Sequence, residues 1–528
     1  MSERSKSIDT ESGQSNELRK GEPSNEPKKS EQSNELKRGI KGWQMSLIGI
    51  GGVMGSCYFL GLGVLIRDMG PAVFLAFALV GVIVYGLMIS YAELLVNLPR
   101  KGSFVAYTNE FLGETVSAGM GWSFWFNWVC YVPSEAIASA IVINAFFKGN
   151  TAAYAIGALA LLTIINLAAV DIFAKIESVL ALTKICVTVL FIVVAFGIWI
   201  GLWGNKGFLG SSINFGSGSL TADIFPNGLG IVITSMVIVL VTFQGTEIIG
   251  LAAAETEDPE RAVPKACKSV TYRIVGLYMI PIAMILLIFP FGKATIENAV
   301  FAQVLQHYHM NFLAAVMSGV VLIAAFSCAN TGFYGTVRCL YGLSIEGLAP
   351  KALSKLNKSS NPRHAVIFTL VFMWIVLMIG LFASESGVYA SLLSLSGFTG
   401  TLAWVGIIAS QQVFRKRLKK NGYDPEQALT VKVKKSQAWI PRFALGAQVA
   451  CLALMAAGEG QFVIFLIACG AVGLPMIAYR IVKKTGHART VEALGNGEKS
   501  FEETFPDLNR TSGSGEKQGR TIPAFENK

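Results

Sequence analysis

The chain has 528 residues, about 3.5 times the usual length of one domain, yet only 15% of them are charged. Soluble domains carry about a quarter charged residues, so several of them in series is a poor description, while the 52% hydrophobic content, about 275 residues, suffices for roughly twelve spans of ~20 residues. The mean hydropathy of +0.52 agrees, and a secreted enzyme, a fibrous protein and a largely disordered chain are excluded.

Residues 1–38 are hydrophilic and repetitive, with QSNELRKG at 14–21 recurring as QSNELKRG at 32–39. This reads as a disordered tail and not a cleaved signal peptide. The tail holds eight acids and eight bases, and residues 485–528 hold seven acids and six bases, so the net charge of +10 resides in the hydrophobic body. Membrane topology explains that excess, and no nucleic-acid partner is expected. Seven of the eight cysteines lie in apolar stretches and Cys267 is assigned to a basic loop; no pair is placed for an oxidising compartment.

Apolar runs bounded by Gly, Pro and charges fall at 43–66, 71–97, 119–147, 151–170, 178–203, 228–254, 274–292, 311–345, 364–383, 387–413, 443–458 and 460–479. Twelve spans put both termini on one side. The loops after the even-numbered spans carry nineteen Lys and Arg against four in the opposite loops, which predicts cytoplasmic termini in a cell (plasma) membrane protein. The expected division is a cytoplasmic tail at 1–38, five spans at 39–203, an extracellular loop at 204–227, five spans at 228–413, a basic cytoplasmic loop at 414–442, two further spans at 443–484 and a cytoplasmic tail at 485–528. Trp43, Trp122, Trp203 and Trp439 fall near span ends, as interfacial anchors do.

Five ionisable residues lie within the spans: Glu93, Glu135, Lys184, Glu247 and Arg338. Each costs about 2.5–3.5 kcal/mol at the bilayer centre on insertion scales, so each needs a partner or a function. Glu93 and Arg338 are close to cytoplasmic ends, where interfacial placement or an ion pair satisfies them. Glu135 follows Pro133 deep in its span and must face protein, water or ligand, either as a protonated carboxyl on a neighbouring helix or as a site or gating carboxylate. Lys184, six residues into the span at 178–203, is a snorkelling lysine or a group that exchanges a proton.

The first span contains Gly49, Gly51, Gly52, Gly55 and Gly61, and the sixth contains Gly245 and Gly250 around Gln244-Gly245-Thr246-Glu247. Unwound backbone survives in a membrane only where protein or a cavity surrounds it. Interruptions five spans apart lie in oppositely oriented halves, which points to an inverted-repeat transporter. A half-helix N-terminus would offer N–H groups to a carboxylate and freed carbonyls would accept from an ammonium, a combination that fits an amino acid.

Four segments, IGIGGVMGSCYFLGLG (48–63), AELLVNLPRKGSFVAY (92–107), FQGTEIIGLAAAETEDPERAVPKA (243–266) and ANTGFYGTVRCLYGLSIEGLAPK (329–351), resemble the amino acid permeases of the amino acid, polyamine and organocation superfamily, in its proton-coupled branch. The resemblance spans roughly residues 36–485. It implies an all-α membrane protein of twelve transmembrane helices: a 5+5 inverted-repeat core with unwound helices 1 and 6, plus two peripheral helices. It implies that Gly51, Gly52, Gly55 and Ser56 bind the substrate carboxylate, and that Phe243, Gln244, Gly245, Thr246 and Glu247 surround the amine and a side-chain gate. It also implies that the Lys184 ammonium takes the place of a sodium ion, with Ser327 flanking that site; Lys184 is then expected to bind the coupling proton, and Glu135 is kept as a gating carboxylate on its depth in the span.

Where the family usually reads GGxxGTGLF, this chain has Ser56 in place of Thr, and Cys57 and Tyr58 in place of Gly and Leu, a change expected to narrow or reshape the pocket. The segment WFNWVCYVPSEAIAS (125–139) looks most like members handling 4-aminobutyrate and related zwitterions. The expectation is a non-enzymatic permease importing a zwitterionic amino acid with protons, without cofactor or metal, in an unspecified oligomeric state. Rivals are an exchanger or cationic amino acid or polyamine permease, with Glu135 as counter-charge, and a non-transporting nutrient receptor on the same fold. A membrane enzyme is disfavoured by four histidines (His307, His309, His364, His487) at loop positions, by the lack of HExxH and by the lack of a GxxxxGK[ST] loop.

Overall fold

The computed structural model describes residues 39–167, 170–204, 220–295, 298–357, 361–382, 388–455, 461–486 and 498–508. The expected disordered tail at 1–38 and most of the segments 204–227 and 485–528 lie outside them. In chain order the helices are α1 (Gly42–Gly51), α2 (Leu62–Met69), α3 (Ala72–Asn97), α4 (Phe104–Leu112), α5 (Glu114–Phe147), α6 (Thr151–Asn166), α7 (Val170–Trp199), α8 (Leu220–Ile224), α9 (Gly228–Val241) and α10 (Ile248–Ala252). They continue as α11 (Pro259–Ile288), α12 (Val300–His307), α13 (Asn311–Ile345), α14 (Arg363–Phe382), α15 (Val388–Lys420), α16 (Pro425–Ala428), α17 (Trp439–Met455), α18 (Phe462–Lys484) and α19 (Phe501–Thr504).

Among the described residues nine helices are long and apolar enough to cross a membrane, and Thr151–Asn166 and Val275–Ile288 are shorter apolar helices. The remaining apolar stretch, 43–66, is divided between α1 and α2. Helices suit this solvent because they satisfy their own backbone groups, which lipid cannot. In α5 and α11 internal prolines are tolerated at Pro133, Pro264 and Pro281.

The centre of the bundle is α5, packed on α13 and α15, with α1 against α7 and α11. Helix α18 buries only Ala468 and Tyr479 among its described side chains, and it exposes Leu466, Ile467, Leu474 and Ile477. An exposed apolar face of that extent is at home in hydrocarbon.

One end of the bundle collects charge. The Glu93 carboxylate receives a two-pronged bond from Arg415 (2.8 and 2.8 Å), the Gln411 amide (2.7 Å) and the Val433 N–H (2.6 Å). Arg338 pairs with Glu255, which also accepts from the Tyr334 hydroxyl at 3.1 Å. Both residues are thus structural ion pairs with more than one bond to the carboxylate, as buried charges require. Ile40 bridges to Thr256 at the same end.

Several boundaries move. Helix α7 starts at Val170, so Lys175 lies within it, and Lys184 is fourteen residues from the helix start, about 21 Å at 1.5 Å per residue. The lysine is mid-helix and cannot snorkel easily. Cys267 lies inside α11 and is buried, because the segment 259–273 continues the helix and is not a loop. Trp122 is half-buried and donates to the Leu348 carbonyl at 3.2 Å, whereas Trp43, Trp203 and Trp439 are exposed. Residues 498–508, part of the expected tail, pack on the body: Lys101 N–H donates to Glu498 (2.7 Å), Phe501 N–H donates to Glu110 (2.7 Å), and Phe501 and Phe505 join Phe111 and Phe414.

Candidate substrate site at two helix breaks

Helix α1 stops at Gly51, the chain turns through 52–55, and regular structure resumes in a wide π turn at Cys57–Gly61 leading into α2. The break is where glycines remove the side chains that would stabilise a helix. Some of its backbone groups bond locally, as the Gly55 N–H does to the Val53 carbonyl at 3.0 Å, and others find partners on other helices. Cys328 Sγ of α13 donates to the Gly52 carbonyl at 2.9 Å, and Lys184 Nζ of α7 donates to the Met54 carbonyl at 3.2 Å. Tyr278 of α11 reaches the Val53 carbonyl at 3.2 Å. The Ser56 N–H donates to both oxygens of Glu135 of α5, at 3.1 and 3.0 Å, and the Ser56 hydroxyl lies 2.9 Å from Tyr389 Oη of α15.

The second break follows Val241 and ends at Ile248. Its groups are held mostly by its own residues: the Thr246 hydroxyl donates to the Phe243 carbonyl at 3.3 Å, and the Gly245 N–H donates to Glu247 Oε2 at 2.9 Å. Trp404 Nε1 of α15 fixes the same Glu247 oxygen at 2.8 Å. Gln244 donates to the Gly397 carbonyl of α15 at 3.2 Å. Phe243 packs edge-on to Tyr278 and beside Phe77.

The two breaks touch. Gly245 has φ +106°, and a Cβ there would lie 2.5 Å from the Gly52 carbonyl oxygen; only glycine allows both the conformation and the approach. A Cβ on Gly55 would strike Glu135 Oε1 and lie 2.7 Å from Cys328 Sγ. The Tyr278 hydroxyl sits on carbonyls of both breaks, Thr242 at 2.6 Å and Val53 at 3.2 Å, and its ring stacks on Tyr58 at 4.1 Å.

The expected residues therefore take different places. Gly52, Gly55, Ser56, Gly245 and Glu135 converge where the breaks meet; Gly51 ends α1 beside them; Thr246 and Glu247 close the second break from within, while Phe243 and Gln244 are committed to packing and to α15. Lys184 reaches the first break. The Ser327 hydroxyl donates to Glu177 of α7.

Glu177, Tyr278, Cys328, Tyr389 and Trp404 were not singled out by sequence. For Glu177 the signal existed: it precedes Lys184 by seven residues, two helical turns on the same face, but the apolar run was started at 178. The others are apolar or aromatic residues in apolar helices, with nothing local to mark them.

The sequence model of the family described as amino acid permease matches residues 44–492. The chain is 33% identical over 398 residues to the lysine-specific permease LysP of Escherichia coli (strain K12), covering 73% of this chain and 80% of that protein. It is 33% identical over 395 residues to the gamma-aminobutyric acid permease of Bacillus subtilis (strain 168), covering 75% and 82%. The amino-acid permease RocC of the same organism is 33% identical over 388 residues, covering 73% and 82%. With those likenesses and its long apolar helices, the chain belongs to the amino acid permease family and is a multi-pass membrane protein, a transporter and not an enzyme.

Proposed function

We propose that the protein imports a zwitterionic amino acid, neutral or resembling 4-aminobutyrate, by proton symport across the plasma membrane, with both termini cytoplasmic. The observation that carries this reading is the Ser56 N–H held by a carboxylate at the first break, directly against the second. A backbone donor that seats Glu135 can seat a substrate carboxylate in its place. Gly51, Gly52, Gly55 and Ser56 would line the anionic pole, and Phe243, Gln244, Gly245, Thr246 and Glu247 the end that receives the ammonium. Lys184 would carry the coupling proton. While its ammonium holds the Met54 carbonyl, α7 stays tied to the first break; loss of the proton would release it. One proton moving with a zwitterion through 100 mV supports about 50-fold accumulation. The proposed architecture is the twelve-helix 5+5 inverted repeat, the arrangement in which interrupted helices face each other at mid-membrane.

A second reading, a permease or exchanger for cationic amino acids or polyamines, is favoured by the Glu135 carboxylate at the break. One experiment separates the two. Purified protein in proteoliposomes is given radiolabelled 4-aminobutyrate, alanine, lysine and spermidine under an imposed inward proton gradient. The proposal expects a zwitterion to accumulate and a protonophore to abolish accumulation. Preference for lysine or spermidine overturns the substrate class, and sodium dependence at constant pH overturns the proton.

A further inference from the structure

Helix α7 carries a second buried charged group that the proposed function does not use. Glu177 and Lys184 are both fully buried and, seven residues apart, lie two turns from each other on one face. Glu177 accepts from the Ser327 hydroxyl on one oxygen and from the Asn330 amide, at 3.4 Å, on the other. Asn330 is itself oriented, because its carbonyl accepts from the Asn166 amide of α6 at 2.9 Å. Donors on both oxygens offset part of the cost of holding a charge there. The charged groups that interact with Lys184 are Glu177 on its own helix and Glu135 of α5, with the Cys328 thiol of α13 beside them. Those around Glu177 are Lys184 and the polar side chains of Ser327, Asn330 and Thr331. From α1 comes the Met54 carbonyl, and from α11 the Tyr278 hydroxyl on the adjoining Val53 carbonyl.

We infer that Glu177 is a positioning residue for coupling: its carboxylate balances the Lys184 ammonium inside the membrane, so that the pair, and not the lysine alone, holds the coupling proton. The inference rests on the proton-symport reading. Ser327 and Asn330 serve that pair by fixing the carboxylate, which ties α13 and α6 to the charge state of α7.

The test compares wild type, Glu177→Gln and Glu177→Asp in proteoliposomes, with the initial uptake rate measured against pH. Glu177→Gln keeps the shape and loses the charge, so half-maximal rate should require about tenfold more protons, a shift of about one pH unit to acid; Glu177→Asp should recover at least half of it. A Glu177→Gln profile that superimposes on wild type, whatever its maximum rate, overturns the inference. Should Glu177→Gln not fold, the double variant Glu177→Gln/Lys184→Met decides: removing one partner of a buried pair strands the other, while removing both does not. The double variant should then melt above either single variant, and melting no higher than the lower single variant overturns the pair. Failure of the symport reading shows separately, as wild-type uptake indifferent to a protonophore.

Discussion

The two breaks solve the same problem differently. At 52–56 the freed groups are held by side chains from α5, α7, α11 and α13, among them a lysine and a carboxylate. At 242–247 the holding groups are mostly local, Thr246 and Glu247, with Trp404 and Gln244 binding the segment to α15. The first break is therefore exposed to whatever changes on four neighbouring helices, and the second, shaped largely by its own residues, is tied to α15 and, through Tyr278 on the Thr242 carbonyl, to α11. Coupling chemistry belongs at the first, where a proton on α7 or a ligand displacing Glu135 alters the hydrogen bonding of the same few peptide groups.

The largest expected effect is at the contact between them. Gly245→Ala puts a methyl against the Gly52 carbonyl in a backbone conformation that costs about 1–3 kcal/mol for a non-glycine residue. Uptake should be lost and the melting temperature lowered, while Gly276→Ala, whose added methyl meets nothing within 4 Å, should behave as wild type. Full uptake by Gly245→Ala would mean that the breaks work independently.

Next comes the contrast between the carboxylates. Glu135→Gln weakens the occupant of the Ser56 N–H from a charged to a neutral acceptor, a difference of about 1 kcal/mol, so KM for a zwitterion should fall by roughly fivefold. Glu247→Gln, at the end proposed to receive the ammonium, keeps its acceptor toward Gly245 in the amide oxygen but loses the charge, so KM should rise instead. A rise in KM with Glu135→Gln would favour a cationic substrate.

The smallest effect on uptake lies away from both breaks and separates pH effects on folding from those on transport. Glu346, at the end of α13, is pushed up from 4.5 to about 7 by burial, partly opposed by the Asn109 amide that donates to it at 2.8 Å. The Asn109 carbonyl oxygen is buried without a partner, and a protonated carboxyl can donate to it. Because the folded state holds this proton more tightly than the unfolded chain, its stabilisation is complete below pH 4.5 and is lost as pH rises through about 7. Glu346→Gln should match wild type in stability at pH 4.5 and exceed it at pH 8 by on the order of 1–3 kcal/mol, seen as a higher melting temperature, with uptake retained at pH 8. Equal melting at both pH values would remove Glu346 as the source.

Both breaks were legible because they are written locally: Gly51, Gly52 and Gly55 in one place, and Gln244-Gly245-Thr246-Glu247 in the other, are residues a continuous helix avoids. Lys184 and Glu135 were legible as charges too costly to be idle in lipid. Their partners were not. Glu93 meets Arg415 across 322 residues of sequence, and Tyr278 is one aromatic among many in an apolar helix. Composition sets a residue's depth in the membrane, whereas the choice of partner is set by which helices pack together. Ser327 shows the same limit: its bond to Glu177 joins residues 150 apart in sequence.

The most direct test is a cryo-electron microscopy structure of the protein with a saturating transported amino acid. The account predicts the substrate between the breaks, its carboxylate on the Ser56 N–H with Glu135 displaced, and its ammonium toward residues 242–247. Substrate bound elsewhere, or Glu135 still on that N–H with substrate present, would contradict it.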